Sequence, residues 1–153
     1  MKRITTLAAI LFSFALPLAA APQHDHAAHG AKAEQSDRVF VAYEEARQAL
    51  LKGSLANLRN AARRIGSAAH DAEQHKLMEL AGDLEDAADL KAARAAFAVL
   101  TDEAIKYRET RCCEKPVVAY CSMEKKSWLQ PAGEIGNPYV DASMRKCGEI
   151  KQK

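Results

Sequence analysis

Apolar residues recur every three or four positions from residue 36 to residue 109, the spacing of an amphipathic helix. Capping and turn residues divide this stretch into four predicted helices. The first runs from Ser36 or Asp37 to Gly53, the second begins at Ser54, and the others span about residues 71–84 and 86–109. The predicted core positions are Val39, Tyr43, Ala46, Leu50, Leu51, Leu55, Leu58, Ala62, Ile65, Ala69, Leu77, Leu80, Ala81, Leu84, Leu90, Ala93, Phe97, Leu100, Ala104 and Tyr107.

After Thr110 the helical period is lost, and cysteine, proline, glycine and aromatic residues become frequent. Residues 117–120 favour a short strand, and Pro131 and Pro138 mark turns. Because short turns join the four helices, the predicted fold is all-α: an antiparallel up-down four-helix bundle over residues 36–110. Residues 111–153 are predicted to form an irregular Cys/Met-rich tail packed on that bundle.

The N-terminal residues have the three parts of an export signal: basic Lys2 and Arg3, an apolar run over residues 4–18, and small residues 19–21. The apolar run is shorter than the ~20 residues of a membrane span. Residues 1–21 are therefore predicted to be a cleaved signal peptide, with a soluble mature protein in the periplasm. The polar, alanine-rich residues 22–35 are predicted to be a disordered leader.

Charge gives no electrostatic reason to expect nucleic acid or a membrane as partner. The chain has 22 basic and 20 acidic residues, and removal of Lys2 and Arg3 with the signal leaves 20 of each. Gly-rich phosphate loops, Gly-x-Ser-x-Gly elbows and His-Glu-x-x-His zinc helices are all missing from the sequence. The protein is therefore predicted not to be an enzyme.

The sulfur-containing residues of the tail are the candidate chemistry. Thiolate and thioether sulfur select Cu(I) or Ag(I) over harder divalent ions. Cys121 and Met123 would share one face of a strand, and Met144 and Cys147 would share one face of a helical turn. These four residues are the predicted ligands of one metal ion, with copper as Cu(I) the expected metal and silver an alternative. Trp128 and Tyr139 are predicted to cover the site.

A disulfide framework is the competing interpretation of the same cysteines. In an oxidising compartment an even number of cysteines in a small domain commonly pairs, and a Cys121–Cys147 bridge would close the tail. The neighbouring Cys112 and Cys113 are poorly placed to bond each other, because such a bridge is strained. They are candidates for other bonds, for a soft metal, or for a redox role.

Three histidines lie within the predicted leader, at His24, His26 and His29. A flexible His-rich segment binds Cu(II), Ni(II) or Zn(II) weakly. The same residues would equally suit a solvated linker, and the sequence leaves both interpretations open.

Five tail segments occur in a distinctive order: residues 119–123, 128–130, 134–139, 144 and 147–149. They resemble a periplasmic domain of undefined function that occurs alone and at the C-terminus of some copper/silver efflux adaptor proteins of the CusB type. That domain has Cys-Pro-Met, Trp-Leu, Asn-Pro-Tyr, then Met and Cys-Gly-Glu. The helical part is also similar, so that the resemblance covers about residues 39–150.

The resemblance implies a helical bundle with a Cys/Met tail that handles heavy metals, chiefly copper. It implies Cys121, Met123, Met144 and Cys147 as ligands. Carried over in the same way, the residues that shape the site are Trp128, Asn137, Pro138 and Tyr139. Ser122 departs from the pattern, since proline is usual there, and Cys112 and Cys113 have no counterpart in it.

The leading hypothesis is a periplasmic Cu(I)/Ag(I)-binding protein that sequesters metal or delivers it to an efflux adaptor. The alternative is a disulfide-pinned helical module that docks an efflux partner without binding metal. A third hypothesis is a thiol oxidoreductase that uses Cys112 and Cys113.

Overall fold

The computed structural model describes the backbone of residues 26–111 and 115–151, with side chains from residue 38 onward. The predicted signal peptide and Cys112 and Cys113 lie outside the described residues. Four helices come first, and three short strands follow, with one turn of 3₁₀ helix before the last strand. The elements are α1 His26–Lys52, α2 Leu55–Asp71, α3 His75–Glu85, α4 Leu90–Glu109, β1 Val117–Cys121, β2 Lys126–Gln130, the 3₁₀ turn Ala142–Met144, and β3 Glu149–Ile150.

The all-α prediction is wrong, because the tail forms a three-stranded antiparallel sheet in the order β2-β1-β3. In this sheet Ala119 pairs with Trp128 on one side and with Ile150 on the other. Only one strand was predicted, and it coincides with most of β1. β2 and β3 were not predicted. β3 has two residues, and its pairing joins segments about thirty positions apart that no local period reveals.

Helix ends agree with the prediction at the first boundary and at the end of α4, and differ at the starts of α3 and α4. The end of α1 at Gly53, whose φ is +68°, and the cap of α2 by the Ser54 side chain are both confirmed. α4 starts later than predicted because the Asp89 side chain accepts the backbone N–H of Ala92. α1 begins at His26 and includes residues 26–35, where alanine is frequent and favours helix.

Consecutive helices pack against each other, and aromatic rings connect α1 to α4 and to the sheet. The rings of Tyr43 and Phe97 lie 4.8 Å apart between centroids, and those of Phe97 and Tyr139 lie 6.1 Å apart. Nearly all the predicted core positions are buried, and Trp128 and Leu129 of β2 join the same core. Helices and sheet therefore share a single hydrophobic core. No helix of the described part is both long and apolar enough to span a membrane.

Two tyrosine hydroxyls bond the outer edge of β2 and so fix the sheet on the helices. Tyr43 accepts the backbone N–H of Leu129 at 3.2 Å, and Tyr139 donates to the carbonyl of Ser127 at 2.8 Å. Both hydroxyls also bond the buried Thr101 of α4. Burial raises the pKa of Tyr43 and of Tyr139, so both remain neutral hydrogen-bonding groups. The β2 edge is thus closed to pairing with another strand.

Candidate metal centre

Cys121 is the innermost residue of the site. It ends β1, in which Ala119 and Cys121 point into the core while Tyr120 between them is half-buried, as the alternation of a strand requires. The Cys121 side chain is fully buried. Its sulfur therefore faces the protein rather than solvent, and its position follows directly from the register of β1.

Met123 reaches the site from the turn that joins β1 to β2. Because β1 ends at Cys121, Met123 does not share a strand face with it, which differs from the predicted arrangement. The turn is tight, with Lys125 at a φ of +53°, and it holds the Met123 side chain 68% exposed. Met123 is therefore the solvent-facing member of the site.

Cys147 follows the 3₁₀ turn, and two backbone contacts hold it in place. Its N–H donates to the Met144 carbonyl at 2.8 Å, and its carbonyl accepts the Asn137 amide Nδ2 at 3.0 Å. Asn137, which is fully buried, also donates its backbone N–H to the carbonyl of Arg145 at 2.7 Å. Asn137 thus anchors the segment that carries Cys147.

Gly148 is required where it stands because the Trp128 ring packs directly against its backbone. A Cβ atom at Gly148 would lie 2.5 Å from Cη2 of Trp128 and 3.0 Å from the carbonyl oxygen of Tyr120, and the φ of Gly148 is +137°. Trp128 in turn donates its Nε1–H to Oε1 of the buried Gln130 at 2.8 Å. Gly148 and Gln130 were not predicted as site residues, although the glycine stands next to Cys147 in the sequence.

Three sulfur atoms lie together at this point of the molecule. Cys121 Sγ and Cys147 Sγ are 2.8 Å apart, and Cys147 Sγ is 3.8 Å from Sδ of Met123. Cys121 and Cys147 are free thiols. Met144 precedes Cys147 on the same turn and is 42% exposed, but its sulfur forms no hydrogen bond with either cysteine in the described part of the chain.

The two thiols differ in their tendency to ionise. Burial acts to raise the pKa of Cys121, but hydrogen bonds from the Cys147 thiol and from the backbone N–H groups of Glu124 and Met123 outweigh it, so the pKa is lowered. The pKa of Cys147 is raised, chiefly because it shares its proton with Cys121, with burial and the negative charges of Cys121 and Glu124 adding to the effect. Of the two thiols, Cys121 is therefore the one that ionises more readily, with Cys147 as its hydrogen-bond donor.

The four residues predicted to shape the site are all buried. Trp128 and Tyr139 are core residues, with their rings edge-on at 6.2 Å between centroids, and Lys126 Nζ lies 5.2 Å from the Tyr139 ring centroid. Trp128 and Tyr139 therefore support the site from the interior instead of covering it. Pro138 is buried next to Asn137. His24 lies outside the described residues, as do the side chains of His26 and His29.

Across residues 38–111 and 115–151, the cysteine pair included, no three His, Cys, Asp or Glu side chains come together to hold a metal ion. A groove of about 730 Å³ lies between α1 and the sheet, and two glutamates line it. Glu44 is bound by Arg47, and Glu45 is bound by Arg64. The groove is otherwise mainly apolar, with Phe40, Val41, Tyr43, Pro116, Leu129 and Pro131 on its walls. Its carboxylates are thus engaged in ion pairs, which gives no indication of acid–base catalysis.

No family model matches this chain, and comparison with curated proteins and with solved structures also finds no match. The resemblance drawn from the tail motifs therefore stays a prediction. The arrangement of the sulfur atoms is therefore the structural feature that bears most directly on function.

Proposed function

We propose that this protein is exported to the periplasm and there binds Cu(I), with Ag(I) as a close analogue, through the sulfur atoms of Cys121, Cys147 and Met123. The observation that carries the proposal is that Cys147 Sγ contacts both Cys121 Sγ, at 2.8 Å, and Met123 Sδ, at 3.8 Å. In the sequence, Cys147 lies 24 residues after Met123 and 26 residues after Cys121. The metal ion is a cargo in this proposal, not a permanent part of the structure.

The donor set suits a soft monovalent ion. Two cysteine sulfurs and one thioether sulfur favour Cu(I) over Mg²⁺, Ca²⁺ or Mn²⁺, which prefer oxygen ligands. Cysteine must be deprotonated to bind, and the hydrogen bonds that lower the pKa of Cys121 favour its thiolate. Met123 needs no deprotonation, so its contribution does not depend on pH.

Binding requires a small opening of the cluster. Two sulfurs that each lie about 2.3 Å from one metal ion are about 3.7 to 4.6 Å apart, depending on the angle at the metal. The observed separation of 2.8 Å is shorter, so the cysteine side chains must rotate apart. Asn137 and Trp128 hold the backbone on the Cys147 side, which limits the change to side chains.

Exposure of the cluster favours transfer over permanent storage. Cys121 is buried, Cys147 is partly exposed and Met123 is 68% exposed, so the donors are graded from interior to solvent. An acceptor can approach Met123 and displace the ligands one at a time. We therefore assign a role in sequestration of the ion or its delivery to a periplasmic efflux adaptor, with no enzymatic step.

The two methionines provide a matched pair of variants. Met123→Leu is expected to weaken Cu(I) binding about 10-fold, the equivalent of ~1.4 kcal/mol, because it removes one sulfur while keeping a similar apolar volume. Met144→Leu should change the affinity much less, since the Met144 sulfur forms no hydrogen bond with either thiol in the described part of the chain. The measurement is an anaerobic Cu(I) titration of the mature protein against a chelator of known affinity.

Equal affinities for wild type and Met123→Leu would contradict a Met123 ligand. A loss confined to Met144→Leu would restore the arrangement predicted from sequence, with Met144 in the coordination sphere. Titrating a variant with alanine at His24, His26 and His29 separates any binding by the leader from binding by the sulfur cluster.

One observation also favours the alternative function, in which a disulfide pins the tail and the domain docks an efflux partner without metal. The Sγ–Sγ distance of 2.8 Å places the two thiols close enough to be oxidised to a bond of about 2.05 Å. Under this alternative the protein isolated from the periplasm carries no free thiol at Cys121 or Cys147 and retains no copper. A thiol count by mass spectrometry distinguishes the two functions.

A further inference from the structure

We infer that the Cys121–Cys147 pair is a thiol–disulfide exchange site, at which a small-molecule disulfide reacts first with Cys147 and the resulting intramolecular bond prevents metal binding. The regulatory half of this inference rests on the proposed function, because it concerns the same sulfur atoms. The chemical half, exchange itself, stands independently of any metal.

The geometry already brings the reacting atoms together. Bond formation shortens the Sγ–Sγ distance from 2.8 Å to about 2.05 Å, a movement of less than 1 Å. The backbone on both sides is held, since Tyr120 of β1 pairs with Glu149 of β3 and Asn137 bonds the Cys147 carbonyl. The bridge can therefore form without rearrangement of the sheet.

The difference in solvent exposure between Cys121 and Cys147 determines which of them reacts first. Cys121 is fully buried beneath the turn, while Cys147 is partly exposed. An external disulfide can therefore reach the Cys147 sulfur but not that of Cys121. Cys147 is the entry point, and Cys121 is the residue that completes the exchange.

The exchange takes place in two steps, each of which breaks one sulfur–sulfur bond and forms another. Cys147 loses its proton and its sulfur attacks one sulfur of the external disulfide, whose S–S bond breaks and releases the first thiolate. Cys121 then loses its proton, and its sulfur attacks the Cys147 sulfur of the mixed disulfide, forms the Cys121–Cys147 bond and releases the second thiolate. The two protein sulfurs are oxidised by two electrons in total, the external disulfide is reduced, and the protons of Cys147 and Cys121 end on the two released thiolates.

The product cannot hold a metal ion in the proposed way. A disulfide has no thiolate, and thiolate is the form in which cysteine binds metals. Met123 would remain as a single exposed thioether with no neighbouring sulfur ligand. Oxidation should therefore release a bound Cu(I), and reduction should restore binding.

The test uses the mature protein carrying Cys112→Ser and Cys113→Ser, so that Cys121 and Cys147 are the remaining cysteines. It is equilibrated with mixtures of reduced and oxidised glutathione, thiols are alkylated, and adducts are measured by mass spectrometry. We expect one intramolecular disulfide. Adding Cys121→Ser should trap a glutathione adduct on Cys147, whereas adding Cys147→Ser should leave Cys121 without one.

Cu(I) titrations of the fully reduced and fully oxidised protein complete the test, and we expect at least a 100-fold loss of affinity on oxidation. If the reduced protein binds Cu(I) but no disulfide forms, exchange is overturned while the proposed function stands. If the adduct appears on Cys121 and not on Cys147, the proposed order is overturned. If the disulfide forms but the reduced protein binds no Cu(I), the proposed function and its regulation fail while exchange stands.

Discussion

Replacing Cys147 with serine is expected to lower the affinity for Cu(I) by at least about 100-fold. Changes to groups that only orient metal ligands already cost about 10- to 100-fold, and Cys147 is proposed as a ligand itself. Its sulfur also lies between the other two, at 2.8 Å from Cys121 and 3.8 Å from Met123. A hydroxyl at this position is a poor ligand for a soft ion. The ion would then keep only the sulfurs of Cys121 and Met123 as ligands.

The fold should survive this substitution, because Cys147 is partly exposed and its backbone contacts to Met144 and Asn137 do not involve the sulfur. The anaerobic titration should therefore be paired with a circular dichroism melt. Ser122→Ala serves as control, since Ser122 is an exposed residue of the β1–β2 turn that carries Met123. An unchanged affinity in Cys147→Ser would remove Cys147 from the site.

Trp128→Ala is expected to lower the free energy of unfolding by about 3 to 5 kcal/mol, the usual cost of removing a large buried aromatic side chain. Trp128 is fully buried, lies edge-on to Tyr139 and packs beneath Gly148. Its loss leaves a cavity where the sheet, the helices and the segment that carries Cys147 meet. The measurement is urea denaturation followed by circular dichroism.

Trp128→Phe is the matched control for this prediction. It keeps an aromatic ring in the core but removes the Nε1–H that Gln130 accepts at 2.8 Å. We expect a smaller loss of stability than in Trp128→Ala. Because the indole supports Gly148, Trp128→Ala should also weaken Cu(I) binding under conditions where the protein is still folded. Stability equal to that of wild type in Trp128→Ala would contradict this description of the core.

The helical half of the molecule could be predicted because its information is local. Gly53 and Ser54 mark a helix end and a helix start by their backbone and capping preferences, and both act as predicted. The apolar stripes of α1, α2 and α4, which include Tyr43, Ile65 and Phe97 respectively, are buried as their spacing requires. The start of α1 was placed too late, since an alanine-rich segment has helical propensity without an apolar stripe.

The third strand and the details of the site could not be predicted because they depend on contacts between distant segments. Only β1 has the residue composition of a strand, and the other strands become recognisable when paired with it. The same limitation explains Met123, which was placed on a strand face but lies in the turn after it. The importance of Gly148 depends on Trp128, twenty residues earlier, reaching the glycine backbone.

X-ray absorption at the copper edge of the Cu(I)-loaded mature protein tests the central claim most directly. The sulfur cluster predicts a first shell of two or three sulfur atoms at about 2.3 Å, without nitrogen or oxygen, which loses one sulfur in Met123→Leu. A shell dominated by nitrogen or oxygen, or a sulfur shell that persists when Cys121 and Cys147 are both serine, would contradict binding at this site.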